Sequence, residues 1–281
     1  MMKSLRYISY FIIFIVAVSY GLTFYVDYQL ARKDFSGSYN DCRKIWSARG
    51  LYGNGIDQNS IQSLQAAFAE GAMGAEVDIF YDTEMQDYVV SHSRPYSKKN
   101  GKILMLAELL DATGKDHYFW LDFKKLRHLS EQQIQLAIQR LLSISSNNGL
   151  QQRIYVEGEA PVNIAHYRKA GFHTIFDTHP EPESMKLLST IMVNAYKIVF
   201  YFGNHSVMGI EYGELDDPVY GPETRKRLKN VPVFLYHVPV NDSLTDELLA
   251  IKNVRAFIIG NNQSVNFHSK NSCNENDLIN E

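Results

Sequence analysis

Cysteine is almost missing from this 281-residue chain, which has two, Cys42 and Cys273. So few thiols exclude a cysteine-built zinc module or a disulfide-dense scaffold. No P-loop, dinucleotide fingerprint, G-x-S-x-G elbow or zinc-ligand spacing occurs. Phosphate-cradling, hydride-transfer and serine-hydrolase chemistry therefore lack their usual signatures. A basic stripe is absent too: 28 Lys and Arg against 31 Asp and Glu leave a net charge of −3. That balance gives no electrostatic footprint for nucleic acid.

The N-terminus has no small-residue cleavage site and no cysteine for lipid attachment. What it has is an apolar run, residues 7–26, of 20 residues without a charge. This is the length needed to cross a hydrocarbon core. Phe, Ile and Tyr occupy every face, unlike the single apolar stripe of a packed surface helix. The run reads as an uncleaved, single-pass signal anchor, with a cleaved signal peptide as the alternative. Lys3 and Arg6 precede it, which places the short tail (1–6) inside and the rest of the chain on the extracytoplasmic side, periplasmic or extracellular. Residues 27–41 read as a polar linker, 42–260 as the folded domain, and the Asn- and Ser-rich residues 261–281 as a poorly ordered tail. If the domain is exported, Cys42 and Cys273, at its two ends, are available for a disulfide. Two unpaired thiols are the other reading, because sequence does not reveal their separation.

Between these ends short apolar runs alternate with helical patterns. Strands are predicted at 44–48, 75–80, 118–123, 153–157, 173–177, 197–202, 232–237 and 255–259. Helical patterns fall at 59–70, 105–112, 130–143, 160–170, 181–194 and 243–252. This rhythm predicts an α/β fold of the (β/α)8 TIM-barrel class, with a doubly wound open sheet as runner-up. A barrel gathers its chemistry at the C-terminal ends of its strands. Here those ends carry Arg49, Glu76, Asp78, Asp122, Lys124, Glu157, Asp177 and His237, with His92 closing a short extra strand.

Glu76-Val77-Asp78 sends two carboxylates to one strand face. Two such charges stay ionised together only if a cation neutralises them. With Asp122 as a third oxygen donor, the set suits Mg²⁺ or Ca²⁺. The alternative is that the acids pair with Arg49 or Lys124. His92 follows DYVVS at the edge of this set and can move a proton near neutrality. Arg49 and Lys124 are cations suited to a phosphate and to charge developing on it.

In order, the chain shows Arg49-Gly50, then Gln58-Asn59-Ser60, then GAMGAEVDIFYD, then VVSH, then WLDFK. This series resembles the glycerophosphodiester phosphodiesterase family over about residues 44–125. The resemblance implies a TIM barrel and cation-assisted hydrolysis of a phosphodiester, in a glycerophosphodiester or a phospholipid headgroup. It implies metal ligation by Glu76, Asp78 and Asp122, phosphate binding by Arg49 and Lys124, and a general-acid role for His92. Asn59 belongs to the matched series as a further site candidate. Asp122 stands where the family usually has Glu, one methylene shorter.

The serious departure is at position 48. The family's first histidine aligns with Ala48, which transfers no proton, and such a loss typically costs about 10²–10⁴ in rate. His237 and Glu157 are the candidates to substitute, although His237 also reads as structural and Glu157 as a salt-bridge or metal contact. Two functions therefore stand: a membrane-anchored phosphodiester hydrolase, or a catalytically impaired barrel that binds phosphorylated headgroups or a protein partner.

Overall fold

A computed structural model describes residues 2–99, 101–260, 270, 271 and 273. Most of the predicted 261–281 tail lies outside the described residues. In chain order the helices are α1 (Met2–Leu30), α2 (Ile61–Ala69), α3 (Leu106–Thr113), α4 (Glu131–Asn148), α5 (Pro161–Lys169), α6 (Lys186–Phe202), α7 (Pro222–Arg227) and α8 (Asp242–Ala250). The strands are β1 (Ile45–Ala48), β2 (Gly74–Asp82), β3 (Asp87–Val90), β4 (Lys98–Lys99), β5 (Lys102–Ile103), β6 (Tyr118–Phe123), β7 (Ile154–Gly158), β8 (His173–Thr178), β9 (Val207–Glu211), β10 (Val233–Val238) and β11 (Val254–Ile259).

Eight of these strands close a parallel barrel in the order β1-β2-β6-β7-β8-β9-β10-β11, and β11 pairs back to β1. The fold is a TIM barrel, as the βα rhythm predicts. β3 folds back antiparallel on β2, and β4 and β5 form a separate small hairpin. Side chains fill the barrel interior. Trp46, Trp120, Tyr155, Ile175, Val207, Phe234 and Ala256 pack there, with Tyr39 of the 27–41 segment joining them. Gly74 exists to make room, since a Cβ there would lie 2.4 Å from the Trp46 ring. A second, larger apolar cluster joins the outer faces of the strands to the helices.

The predicted strand at 197–202 is corrected. KIVFYF completes α6, and the strand is instead Val207–Glu211 (VMGIE). Its β-branched and aromatic residues suit a strand, but tertiary packing overrides so weak a preference. Lys197 and Phe200 are buried on one side of the helix, and Lys197 pairs with Asp27 of α1 at 2.5 Å. In β9, Met208 and Gly209 dilute the strand signal; a Cβ at Gly209 would approach Ile175 to 2.8 Å.

α1 extends past both ends of the 7–26 run. It is long and apolar enough to cross a membrane: Ile13–Leu30 has a mean hydropathy of 1.3 and is 11% buried. Val26 and Leu30 are buried in the domain core, and Tyr25 meets Tyr201 of α6 edge-on. The helix thus docks where α6 ends, beside the N-terminal ends of the barrel strands.

His205, beneath that junction, is 1% exposed. Burial, with Lys33 and Arg168 adding, pushes its pKa down to about 4. Between its ordinary value and that one, the unfolded chain binds a proton that the folded chain refuses. Stability therefore falls as pH drops from about 6.5 towards 4, by roughly 3 kcal/mol for this group. Denaturant unfolding at pH 7 and pH 4.5 should show a steeper loss in the wild type than in His205→Gln; equal losses would contradict this.

Candidate active site

The register of the strands assembles the mouth. Ala48 of β1 pairs with Glu76 of β2, Asp78 with Asp122 of β6, and Asp122 with Glu157 of β7. Oxygens of Glu76, Asp78 and Asp122 lie within 4.8 Å of one another. Asp78 is the hub and is fully buried. Its Oδ2 lies 2.7 Å from Arg49 Nε and its Oδ1 lies 2.8 Å from Lys124 Nζ, while Lys124 also pairs with Asp122. Asn59 grips Asp78 twice: Nδ2 donates to Oδ2 at 2.7 Å, and Oδ1 accepts from the Asp78 N–H at 3.1 Å. Arg49 Nε comes to 3.8 Å from Glu76.

Local sequence produces this geometry. Arg49 and Gly50 both take positive φ, 56° and 81°. A Cβ at Gly50 would lie 2.4 Å from the Ser63 carbonyl carbon, so only glycine lets the chain leave β1 so sharply. The Asn59 N–H donates to the Arg49 carbonyl at 3.0 Å. Ser60 then caps α2 in a reciprocal box with Ser63, which fixes Asn59 under Asp78.

Three carboxylates face two cations in this buried cluster. Burial pushes the Glu76 carboxyl well above the usual range, and Asp78 and Asp122 add to it. Burial also pushes Asp122 up to about 6, against the pull of Lys124. Lys124 loses by burial but gains more from Asp122 and Asp78, so its ammonium is held above the ordinary lysine range. Three hard oxygen donors, two of them on carboxyls pushed towards their protonated forms, fit a divalent cation of the Mg²⁺ or Ca²⁺ kind, whose charge would let them ionise together.

The cluster opens into a cavity of about 1030 Å³ whose wall includes Ala48, Arg49, Glu76, His92, Asp122 and Lys124. Burial lowers the His92 pKa, with Asp78 opposing. Glu157 accepts from Trp120 Nε1 at 2.7 Å, and burial raises its carboxyl well above the usual range, with Asp122 and Asp177 adding. It is a floor group of the mouth, poorly suited to take a proton. His237 lies on the rim with Nδ1 3.0 Å from Glu211 Oε1.

No family model matches the chain, and no curated protein matches it in sequence. Solved structures match it by fold. Its backbone is similar to that of solved glycerophosphodiester phosphodiesterases. One from Parabacteroides distasonis is 16% identical, with a TM-score of 0.54 over 79% of this chain and 93% of that one. Another from Thermotoga maritima is 15% identical, with a TM-score of 0.54 over 77% and 93% of the two chains. A third from Agrobacterium tumefaciens is 12% identical, with a TM-score of 0.52 over 80% and 99%.

The structure brings Arg49, Asn59, Glu76, Asp78, His92, Asp122 and Lys124 to one mouth, with Glu157 below and His237 at the rim. It also places there a residue that the sequence reading missed. His179 lies just beyond β8, four strands from β1 in either direction. Its Nε2 is 3.1 Å from Asp177 Oδ2 and 3.8 Å from Glu159 Oε1. Its Nδ1 is 3.2 Å from the Tyr236 hydroxyl, which donates to Asp177 Oδ1 at 3.1 Å. Hydrogen bonding to Asp177 raises the His179 pKa. The signal was the D-x-H spacing that closes β8, the same period-two logic that singles out Glu76 and Asp78.

Proposed function

We propose that this chain is a cation-assisted phosphodiester hydrolase acting on glycerophosphodiesters or phospholipid headgroups. In this reading α1 anchors it in a membrane and the barrel lies on the extracytoplasmic side. The observation that carries the proposal is the convergence of Glu76, Asp122, Arg49, Lys124 and His92 on one cavity, with Asp78 buried behind them and within 4.8 Å of Glu76 and Asp122. The shared fold supports it.

Glu76, Asp78 and Asp122 would hold the cation, which supplies charge stabilisation to a phosphate gaining negative charge. Arg49 and Lys124 bind phosphate oxygens, and Asn59 keeps Asp78 aimed. Two imidazoles on separate walls then divide the proton transfers. The resemblance makes His92 the general acid. However, His92 is pushed towards its neutral form and His179 towards its charged form, and pKa values pushed apart mark a base and an acid. Kept charged by Asp177 at Nε2, His179 would exchange its Nδ1 contact with the Tyr236 hydroxyl for the leaving alkoxide and protonate it, while His92 takes the proton of the attacking group; this division no longer needs a histidine at position 48.

Two substrates separate these roles. A glycerophosphodiester releases an alkoxide that needs a proton, whereas bis(p-nitrophenyl) phosphate releases an anion that does not. In the full chain with Mg²⁺ or Ca²⁺, His179→Ala should slow the first by about 10²-fold and barely affect the second. His92→Ala should slow both. No hydrolysis of either substrate by the wild type would leave the second reading, a headgroup- or partner-binding barrel, which Ala48 favours.

A further inference from the structure

A second cavity, of about 210 Å³, lies at the opposite end of the barrel. The segment leaving α1 crosses there over the first residue of β8 and the residues just before β9. Its wall includes Lys33, Ser38, Arg168, His173, His205 and Ser206.

Four basic side chains meet in this small space. Lys33 Nζ donates to Asn204 Oδ1 at 2.7 Å and Arg168 Nε to the Asn204 carbonyl at 3.2 Å, so one neutral residue draws two cations together. Among the described residues neither cation forms a salt bridge with a carboxylate. Asp34, also on the wall, turns its oxygens to the Ser36 N–H and hydroxyl, each at 2.8 Å, and pairs with neither cation. His173 and His205 are 7% and 1% exposed, and His173 Nδ1 and His205 Nε2 are buried without a hydrogen-bond partner.

The groups feel one another. Burial and then Arg168 lower Lys33; burial and then Arg168 push His173 down to about 4; His205 responds to burial, Lys33 and Arg168. Stacking on Tyr155 and Phe176 accounts for the two rings as packed side chains. It does not account for two cations drawn to the same place with no carboxylate paired to either among the described residues. Like charges drawn together on a half-buried wall repel one another unless something neutralises them. An oxyanion between Lys33 and Arg168 would neutralise both cations at once.

We infer that this cavity is a binding site for a phosphate-sized oxyanion, gripped by Lys33 and Arg168. Two sources share that chemistry. Lys33 stands three residues beyond the end of α1, so an anionic phospholipid headgroup beside an embedded α1 is one. A free phosphate or phosphomonoester is the other. Neither depends on the chemistry at the mouth.

The test uses the full chain in neutral detergent, titrated with inorganic phosphate while thermal unfolding is followed. A saturable rise in Tm is expected. Lys33→Gln and Arg168→Gln should each weaken the phosphate effect at least tenfold. Each should also leave the phosphate-free protein as stable as the wild type or more so, because a repulsion is relieved. Phosphate bound at the mouth would persist in both variants and so is separated from this site. Nanodiscs with and without phosphatidylglycerol, free of phosphate, identify the source. A rise in Tm only with the anionic lipid, lost in both variants, marks the headgroup; no such rise marks the soluble anion. Equal phosphate responses in wild type and both variants, or none in any, would overturn the inference. Lys33 lies outside the barrel strands and helices, so its substitution does not put folding at stake.

Discussion

Asp78→Asn is expected to stop cation-dependent hydrolysis, by about 10³-fold or more, while the barrel still folds. The substitution keeps the shape of a fully buried side chain but removes its charge. Arg49 Nε, Lys124 Nζ and Asn59 Nδ2 all approach its oxygens at 2.7–2.8 Å. An amide nitrogen turned towards any of them would set donor against donor. Removing one partner of a buried ion pair typically costs about 3–5 kcal/mol, and losing a bound catalytic cation forfeits several kcal/mol of transition-state stabilisation. The first is a cost in stability; the second sets the rate, and at about 1.4 kcal/mol per decade a loss of roughly 4 kcal/mol is a thousandfold.

Activity alone would not separate the two terms, so three readouts are needed. The rate on glycerophosphodiester should collapse. The rise in Tm produced by Mg²⁺ or Ca²⁺ in the wild type should vanish. The cation-free variant should unfold more easily than the wild type. A variant that hydrolyses at the wild-type rate would remove Asp78 from the mechanism. One that loses rate yet keeps the cation-induced rise in Tm would leave Asp78 as a phosphate-site organiser and move the cation elsewhere.

Much of this mouth was legible in the sequence because strand periodicity and chain order carry it. Glu76 and Asp78 face one side by pleat alone, and the RG turn and the Ser60 cap are local devices with local signatures. Closure of the barrel followed from the βα rhythm. What stayed hidden depended on tertiary partners. KIVFYF has strand composition, yet it is helical, and its buried Lys197 finds its partner, Asp27, on another helix. The Asp177–His179–Tyr236 cluster joins β8 to β10, so no single segment displays it. The basic cavity is assembled from α1's exit, α5 and the starts of β8 and β9, and Lys33 and Arg168 look like ordinary surface cations until they meet on Asn204.

Reducing the chain should cost it about 5 kcal/mol of stability, the loop-closure figure for so long a covalent loop. Cys42 and Cys273 are joined, 231 residues apart in sequence and 5.5 Å apart at Cα. The bond closes a covalent loop that contains every barrel strand and holds residues 271 and 273 beside β1. There Asn271 accepts from the Ile45 N–H at 2.9 Å and donates to the Ile45 carbonyl at 2.8 Å. Cys42→Ser and Cys273→Ser should each lower Tm by about 10–20 °C, and reductant should lower the wild type equally while leaving both variants unmoved. A bond of this kind persists in oxidising compartments and not in the cytosol. The same measurement therefore bears on orientation: if the barrel lies outside the membrane, thiol alkylation in intact cells should find both cysteines blocked until reductant is added. Free thiols in the mature protein would place the barrel on the reducing side, and the stability contributed by the ring would then be absent where the protein works.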